Sequence, residues 1–570
     1  MSFGWKFGSA ARASDHKSHA GHRRKRSVIA VVAILGLGLA ALVLSLQAHA
    51  TPPAPQTLFG TLDTQPTTIA AEAGTSDVSM AMLELDWSRF EPSPGVFSAS
   101  YVSGMKSQLQ AYQAAGMKVT LALGTYDPPS WVSSLADSSY VDQTGAKSTD
   151  ANFVFSAAVR QAAATYMAHI AASFPLSSFY AIRLTSGGNG EVLYPGGGTY
   201  WAFDNAALTG KGLAAGMTRN PDPNWKPGTS GLSQAQIRAW VNWYVGGLDN
   251  VTNWQMQTLS GLGFKGYYET VTPGSGRRPD GLAQTEQQNL SNDGITGVGA
   301  VWNLYYAKLP TKTNVIAYIS SVADNSGGNN TCQSTDDSVS LTSSVADSWS
   351  ATRWITRLAH QNGLLVGGEN SGYGMPSSLN SFYTDTSSSG MMATAIALAQ
   401  TCGFKVFYWA HDIHLWDGTL PFSLYAKSIA PYAADAPNNL AQAGTATASN
   451  TLAGFPASYA NDNGGGSYWQ AANSTANLTL QLSKSQPVDR VILELPQSWG
   501  TRNQTIQVDG STNGTTWTTL VPAANYTFTM GSNAIAIPFA ATTETYLRLD
   551  ISGNNVQGVP QIAEFQVYDN

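Results

Sequence analysis

Short apolar runs alternate with longer segments of helical periodicity between Thr57 and about Ala434. The runs have the length of buried strands, and several follow a glycine, such as Gly116 or Gly363, that ends a helix and turns the chain into the next strand. Strands alternating with helices are typical of parallel β/α units, and eight such units close into a (β/α)8 TIM barrel. The eight strand candidates are Leu58–Asp63, Val78–Leu85, Lys118–Leu123, Tyr180–Leu184, Lys265–Thr270, Asn314–Ser320, Leu364–Gly368 and Lys405–Trp409.

The helical periodicity ends near Ala434, and short stretches of alternating apolar and polar residues follow to the C-terminus. This second pattern is typical of an antiparallel β-sandwich. We therefore predict an α/β barrel domain over residues 51–435 and an all-β sandwich over residues 436–570.

Residues 1–50 have the pattern of a signal peptide. A basic cluster, Arg23–Arg26, precedes the apolar run Val28–Leu46, and Ala48–Ala50 fits a small-x-small cleavage site. The apolar run is long enough to span a bilayer, so an uncleaved N-terminal anchor is the alternative. In both cases the remaining chain is expected outside the cytoplasm, and after cleavage we expect a secreted, extracellular protein without membrane contact.

The composition narrows the class of partner. Only 12% of the residues are charged while 10% are aromatic, with 16 Trp among them, and Gly, Ser, Thr and Asn fill the polar surface. Such a surface suits a protein that handles neutral sugars, because aromatic faces stack on sugar rings and amides bind hydroxyl groups. The net charge of −6 and the lack of a basic stripe argue against nucleic acid as a partner. The oligomeric state stays open.

Two of the predicted strands end in glycines that are followed by a glutamate. Glu191 follows Gly190 after the fourth strand, and Glu369 follows Gly367 and Gly368 after the seventh. Barrel enzymes present catalytic groups at the C-terminal ends of their strands. Two carboxylates in matching positions are the machinery of glycoside hydrolysis, whereas a single one is as readily a solvated loop residue.

The barrel segment resembles the family-42 β-galactosidases of glycoside hydrolase clan A. The resemblance rests on the string W-S-R-F-E-P-S-P-G-V-F at Trp87–Phe97, with shorter matches G-M-K-V-T-L at Gly116–Leu121 and P-P-S-W at Pro128–Trp131. It covers much of the first third of the barrel. It implies a retaining hydrolase of O-glycosidic bonds, with Glu191 as acid/base and Glu369 as nucleophile.

The resemblance departs from that family just before the acid. The family has Asn immediately before its acid/base, whereas this chain has Gly190 there and Asn189 one position earlier. The string G-N-G-E-V-L-Y-P is instead similar to the acid motif of family-14 β-amylases, which invert configuration. An inverting glucan hydrolase is therefore one alternative, and a non-catalytic glycan-binding or adhesion protein with an inactive barrel is another.

Further side chains at strand ends and in these motifs are predicted to bind the substrate. Trp409 is expected to stack on a sugar ring, His411 or Asp412 to hold hydroxyl groups, and Asn370 or Tyr373 to hydrogen-bond Glu369. Glu269 is a third acid at a strand end, with a catalytic role as its alternative. No metal is predicted in the barrel, since no third cluster at ligand spacing supports the histidines near Asp412. The predicted substrate-binding residues are Trp87, Arg89, Tyr126, Asn189, Tyr194, Glu269, Asn370, Tyr373, Trp409, His411 and Asp412.

The sandwich resembles a discoidin (coagulation factor type C) module, which in many secreted glycosidases binds carbohydrate. The similarity includes S-T-N-G-T-T-W at Ser511–Trp517 and E-F-Q-V-Y at Glu564–Tyr568. It implies a possible structural calcium ion near Asp462 and Glu564, and no cofactor is expected to be required. Trp499 and Arg502 lie in a segment predicted to reach a ligand or to cover the edge of the sandwich.

The chain has two cysteines, Cys332 and Cys402. Export permits a disulfide bond. On the strand assignment, however, Cys332 follows the sixth strand and Cys402 precedes the eighth, which places them at opposite ends of a barrel. Direct pairing is therefore not expected, although the alternative stays open.

Overall fold

The computed structural model describes residues 57–75, 77–186, 190–291, 293–309, 312–323, 330–433 and 438–569. The predicted signal peptide, the boundary between the two predicted domains and Asn189 lie outside these ranges. Within them, no helix combines the length and the apolar character needed to cross a bilayer.

Eight parallel strands close into a barrel, in the order β1-β10-β9-β8-β7-β6-β3-β2, and β4 and β5 form a separate antiparallel ribbon. Each strand candidate from the sequence corresponds to one barrel strand, so the predicted fold class is confirmed. The strands are β1 (Leu58–Thr61), β2 (Val78–Glu84), β3 (Lys118–Ala122), β4 (Ser139–Val141), β5 (Lys147–Ala151), β6 (Ala181–Leu184), β7 (Tyr267–Thr272), β8 (Val315–Ile319), β9 (Leu365–Glu369) and β10 (Val406–Trp409).

Helices surround the barrel, and several begin at a serine whose hydroxyl accepts a hydrogen bond from a backbone N–H in the first turn, as at Ser156 and Ser350. The cap at Ser350 separates α11 from the short helix α10. The helices are α1 (Ile69–Gly74), α2 (Trp87–Phe90), α3 (Ala99–Ala114), α4 (Ala157–Ser173), α5 (Asn205–Thr209), α6 (Gln234–Gly261), α7 (Pro279–Gln287), α8 (Gly294–Gly297), α9 (Trp302–Lys308), α10 (Ser344–Asp347), α11 (Ala351–Gln361), α12 (Asn380–Tyr383), α13 (Met391–Thr401) and α14 (Phe422–Ile429).

The barrel has two apolar layers because successive side chains of a strand point to opposite faces. One layer fills the interior and includes Met80, Met82, Tyr318 and Tyr408. The other, larger layer lies between the strands and the helices. Polar side chains in the interior layer therefore lie in a confined, poorly hydrated space.

The C-terminal region is all-β and antiparallel. Its main sheet has the order β11-β13-β16-β14-β15, β18 pairs with β13, and β12 pairs with β17. The pairing of the long strands β13 and β16 shifts register between Gln481 and Gln486. The strands are β11 (Thr445–Ala448), β12 (Trp469–Gln470), β13 (Thr475–Glu494), β14 (Arg502–Ser511), β15 (Thr518–Phe528), β16 (Ala534–Ser552), β17 (Gln561–Ile562) and β18 (Glu564–Tyr568).

Cys332 and Cys402 form a disulfide bond, with their Cα atoms 5.0 Å apart. The expectation that they lie at opposite ends of the barrel is wrong, because the segment after β8 does not stay at the C-terminal end. It runs along α11, where the carboxylate of Asp337 lies 3.6 Å from the ring of His360 in the last helical turn. Cys332 thereby reaches Cys402 at the C-terminal end of the neighbouring helix α13.

Candidate active site at the C-terminal end of the barrel

Glu191 and Glu369 both receive a hydrogen bond from the end of the same strand. Glu191 follows β6, and its Oε1 accepts a hydrogen bond from Ser320, directly after β8. Glu369 is the last residue of β9, and its Oε2 accepts a hydrogen bond of 2.6 Å from the Tyr318 hydroxyl. Tyr318 and Ser320 are two residues apart in extended chain, so their side chains lie on one face. Both carboxylates therefore lie at the C-terminal end of the barrel.

Arg183, from β6, is the cation closest to this pair. Its Nη1 lies 3.1 Å from Oε2 of Glu369, and its Nε lies 3.4 Å from Oε2 of Glu269. The guanidinium carbon is 4.3 Å from the centre of the Tyr318 ring and 5.9 Å from that of Tyr408, within the range of cation–π attraction. One buried positive charge thus balances carboxylates from β7 and β9, the strands on either side of β8.

Glu269 is fully buried below the cleft. Its Oε1 accepts a hydrogen bond of 3.3 Å from the Thr120 hydroxyl. Burial raises the pKa of Glu269 to about 7, and the charge of Arg183 opposes this rise while that of Glu369 adds to it. Glu269 therefore exchanges its proton close to neutral pH.

A second group of charges lies at the ends of β1, β2 and β10. His411 Nδ1 is 2.6 Å from Oδ2 of Asp63. Burial lowers the pKa of His411, but the hydrogen bond and the charge of Asp63 raise it more, so the net shift is upward. Burial and the charge of Asp63 raise the pKa of Glu84 to about 8. This group thus pairs one carboxylate with an imidazole whose protonated form is favoured, next to a carboxyl group that keeps its proton at neutral pH.

Two of the predicted sugar-binding aromatic residues are open to solvent. The side chain of Tyr126 is 43% exposed, and its ring lies 3.7 Å from the position that a Cβ atom would have on Gly190, the residue before Glu191. Tyr373 is 36% exposed, and its ring centre is 5.3 Å from that of His414. Both rings are therefore free to contact a ligand near the two glutamates.

Three other aromatic residues predicted to bind sugar are buried. They pack against other side chains of the core, so the predicted sugar contact is wrong for them. Trp87 stacks on Tyr166 at 5.0 Å, and Tyr194 stacks on Tyr244 at 4.0 Å. Trp409 is also fully buried, in the layer between strands and helices. Trp87 and Trp409 lie at or just after the end of a strand and Tyr194 lies in the loop after β6, and large aromatic side chains in such places pack in the core as readily as they bind a ligand.

The predicted polar contacts of three more residues are also corrected. Asn370 is buried and binds the backbone N–H and C=O of Ala410 rather than Glu369. Asp412 is buried and accepts hydrogen bonds from the backbone N–H of Gln65 and the indole of Trp416. Arg89 is exposed, and its guanidinium lies over a ring on α3, on the outer side of the barrel.

Sequence reasoning missed Arg183, Tyr318, Ser320, Glu84 and Asp63. Arg183 and Glu84 carried a usable signal, because each is a charged residue inside an apolar strand run. A charge at such a position requires a partner in the barrel interior. The hydroxyl donors after and within β8 carried no signal that distinguishes them from ordinary strand residues.

The predicted calcium residues of the C-terminal region meet at one backbone amide. The N–H of Gly464 donates to Oδ1 of Asp462 at 2.8 Å and to Oε1 of Glu564 at 2.7 Å. Burial and the nearby charge of Glu494 raise the pKa of Glu564 to about 8. A cation with oxygen ligands beside Asp462 would favour the ionised form of Glu564. In the described residues, no group of three or more His, Cys, Asp or Glu side chains forms a metal site.

The comparisons with known proteins concern the C-terminal region. A family model described as the F5/8 type C domain matches residues 445–565. Similar solved structures include a chitosan-binding module from a chitosanase/glucanase of Paenibacillus sp. IK-5, with 33% identity, coverage of 23% of this chain and 99% of that chain, and a TM-score of 0.20. A family-32 carbohydrate-binding module of Clostridium perfringens NanJ, in complex with galactose, has 20% identity, coverage of 23% and 99%, and a TM-score of 0.21.

A third solved structure, of a pectin-binding carbohydrate-binding module, has 21% identity, coverage of 22% and 89%, and a TM-score of 0.20. The comparison with curated proteins finds no match. The family match lies inside the region that the sequence assigned to a discoidin-like module. Downstream of its eight-stranded barrel, the chain therefore carries an F5/8 type C domain.

Proposed function

We propose that the protein is a secreted glycoside hydrolase, in which Glu191 and Glu369 cleave O-glycosidic bonds of oligo- or polysaccharides with retention, as in β-galactosidase-like enzymes. The observation that carries this proposal is the pair of hydrogen bonds from Ser320 and Tyr318 to the two carboxylates. These bonds hold two acids at the C-terminal end of the barrel, where barrel enzymes bind their substrates. The surroundings of the two acids differ, because Arg183 lies beside Glu369, and a glycoside hydrolase needs its two acids in different protonation states.

In this mechanism the two glutamates have different roles. An oxygen of Glu369 attacks the anomeric carbon, and the glycosidic C–O bond breaks as Glu191 gives its proton to the leaving oxygen. Arg183 and Tyr318 hold the attacking carboxylate in place. Water then cleaves the glycosyl ester, while Glu191 takes its proton. Tyr126 and Tyr373 provide exposed rings for the sugar, and His411 is available to its hydroxyl groups. Glu269, predicted to bind sugar, is instead buried against Arg183.

The C-terminal domain is proposed to bind carbohydrate for the barrel. Phe455, Tyr468 and Trp499 form a partly exposed aromatic group, with ring centres 4.7 and 4.6 Å apart in that order, and the guanidinium of Arg502 lies 4.0 Å from the Trp499 ring. Planar rings beside a cation and amide groups are suited to stacking on a sugar and binding its hydroxyls.

The acid role of Glu191 is tested with substrates that differ in their need for a proton. Glu191→Gln is expected to lower turnover of a natural oligosaccharide or an alkyl glycoside by about 10²- to 10⁴-fold. Turnover of dinitrophenyl glycosides should fall far less, because this leaving group departs without protonation. The measurement is kcat/KM over a panel of aryl and alkyl glycosides, chosen after a screen of plant and microbial polysaccharides.

Asp347→Asn is the matched control, since Asp347 is an exposed acid on α10. It should keep wild-type turnover. Equal losses on good and poor leaving groups would contradict the acid role. If the wild-type protein binds glycans and cleaves none of the panel, the non-catalytic alternative is favoured.

Calcium is proposed to bind near Asp462 and Glu564. Without a cation, the contribution of Glu564 to stability is lost as pH rises from its ordinary pKa of 4.5 through its folded pKa of about 8.

Calcium at about 100 times its Kd should raise the free energy of unfolding by about 2.7 kcal/mol. We expect its effect on Tm to grow between pH 5 and pH 8. Glu564→Gln should abolish this response and Glu544→Gln should keep it; no response in the wild type would exclude the site.

A further inference from the structure

Helix α1 is buried on all sides, although it is one of the short helices of the barrel domain. All six residues from Ile69 to Gly74 are buried. Five of the six are apolar or glycine, and the sixth, Glu72, is buried as well and accepts a hydrogen bond of 3.4 Å from the Thr61 hydroxyl, so no face of α1 is left to solvent. Here one side of α1 packs on the barrel, and Ala70 and Ala71 form an apolar cluster with Ala534 of β16. The C-terminal domain therefore covers this helix.

Three contacts fix the C-terminal domain to α1 and to the residues before it. The Ser532 hydroxyl donates to the carbonyl of Thr67 at 2.6 Å, and the Tyr568 hydroxyl donates to the carbonyl of Gly74 at 3.2 Å. At Gly74 a Cβ atom would lie only 2.4 Å from Oε1 of Glu494. Both ends of α1 are thus held, and the contact at Gly74 leaves no space for a side chain.

The same stretch of chain forms one wall of the barrel cleft. We call residues 62–75 the β1–α1 segment. Near its start, Asp63 contacts His411 at 2.6 Å. Next to His411, the carboxylate of Asp412 accepts hydrogen bonds from the backbone of Gln65 at 2.7 Å and from the hydroxyl of Thr68 at 3.0 Å. The segment therefore holds both His411 and Asp412 in the loop after β10.

Trp416 connects this wall to the C-terminal domain by a second route. Its indole N–H donates to Oδ1 of Asp412 at 3.1 Å. Its ring packs against the cluster that includes Ala71 and Ala534. Asp412 is thus linked to the C-terminal domain through the ring of Trp416 as well as through the residues of the β1–α1 segment.

We propose that the C-terminal domain has a second role besides carbohydrate binding, as a brace that holds the β1–α1 segment and so positions Asp63 and His411 in the cleft. The brace itself is independent of the proposed hydrolase activity, and only its effect on turnover depends on that activity. Asp63 and His411 are positioned by contacts that reach the C-terminal domain, and a loosened interface is expected to release them while the barrel stays folded.

The test uses the full chain and measures hydrogen exchange of residues 62–75. Gly74→Ala places a methyl group against Glu494, and Tyr568→Phe removes one hydroxyl contact. We expect amides of the segment to exchange at least about tenfold faster in Gly74→Ala and by a smaller factor in Tyr568→Phe, because local opening becomes easier. Gly261→Ala is the matched control: Gly261 also ends a helix, α6, and a Cβ there has no neighbour within 4 Å.

The imidazole signals of His411 give a readout that simple destabilisation does not move. Since Asp63 raises the pKa of His411, loosening their contact should shift its titration to lower pH. Unchanged exchange of the segment and an unchanged His411 titration in both variants would overturn the brace. If Gly74→Ala does not fold, Tyr568→Phe and Ser532→Ala carry the test. Hydrogen exchange and the His411 titration are both measured without a substrate. If the protein is inactive, the hydrolase proposal is contradicted and the brace is still tested.

Discussion

Glu369→Ala is expected to lower turnover by at least about 10⁴-fold. The carboxylate lies at the end of β9, between the hydroxyl of Tyr318 and the guanidinium of Arg183. The methyl side chain of Ala provides no oxygen to attack the anomeric carbon, and it leaves a small cavity beside two hydrogen-bond donors. Turnover is measured with the best aryl glycoside from the panel, at saturating and at low concentration, to separate kcat from KM.

Azide distinguishes the two possible roles of Glu369. The anion is small enough for the cavity and, in a retaining enzyme, attacks the anomeric carbon in place of the lost carboxylate. The product is then a glycosyl azide of inverted configuration, and turnover recovers. In an inverting enzyme Glu369 activates a water molecule instead, so no such azide is formed. Asp347→Asn with azide is the control and should yield only the hydrolysis product of the wild type.

The anomer that the wild-type protein forms first shows independently whether the anomeric configuration is retained or inverted. Retention is favoured by the W-S-R-F-E-P and P-P-S-W strings, whereas the G-E-V-L-Y-P string around Glu191 favours inversion. Retaining enzymes separate their carboxyl groups by about 5 to 5.5 Å and inverting ones by about 6.5 to 9.5 Å, which leaves room for a water molecule. Proton NMR of the first product decides the assignment, and an inverted first anomer would exclude the double displacement.

The sequence was sufficient for the barrel because each strand is a local pattern. An apolar run bounded by a helix-ending glycine and a polar loop depends on neighbouring residues alone, and β9, for example, follows Gly363 in this way. The same reasoning located Glu191 and Glu369, since a strand that ends in glycines and an acid is also a local pattern. Glu369 is the last residue of β9, whereas Glu191 lies in the loop after β6, which ends at Leu184.

The surroundings of the acids depend on contacts between distant strands, which no local pattern contains. His411 and Asp412 are adjacent, yet one faces Asp63 at the cleft and the other is enclosed by the residues before α1. Polarity alone does not distinguish such neighbours. The disulfide of Cys332 was missed for a related reason: the segment after β8 travels along a helix, and loop length does not define its path.

Arg183→Met is expected to reduce both stability and turnover. The guanidinium contacts Glu269 and Glu369 in a largely buried setting, where the side chain of Arg183 is 10% exposed. Removing one partner of a buried ion pair leaves uncompensated charge and typically lowers the free energy of unfolding by about 3 to 5 kcal/mol. Arg238→Met is the matched control, because Arg238 also pairs with a glutamate, Glu286, but its side chain is 65% exposed. That change should cost about 1 kcal/mol or less.

The loss of stability in Arg183→Met should increase with pH. Glu269 has an ordinary pKa of 4.5 and a folded pKa of about 7, so its contribution to stability is present below pH 4.5 and is lost as pH rises to 7. Arg183 holds this folded pKa down, and its removal extends the loss to higher pH. The deficit in Tm relative to wild type should therefore be small at pH 5 and increase through pH 8.

Turnover provides the second readout of the same change. With the positive charge gone, the carboxyl group of Glu269 keeps its proton to higher pH, so the acid limb of the kcat/KM profile should move upward. Arg183→Lys keeps the charge but loses the second donor nitrogen, and it should restore the stability more than the turnover. A Tm deficit that is equal at pH 5 and pH 8, with an unmoved acid limb, would show that Arg183 acts through packing between Tyr318 and Tyr408 and not through its charge.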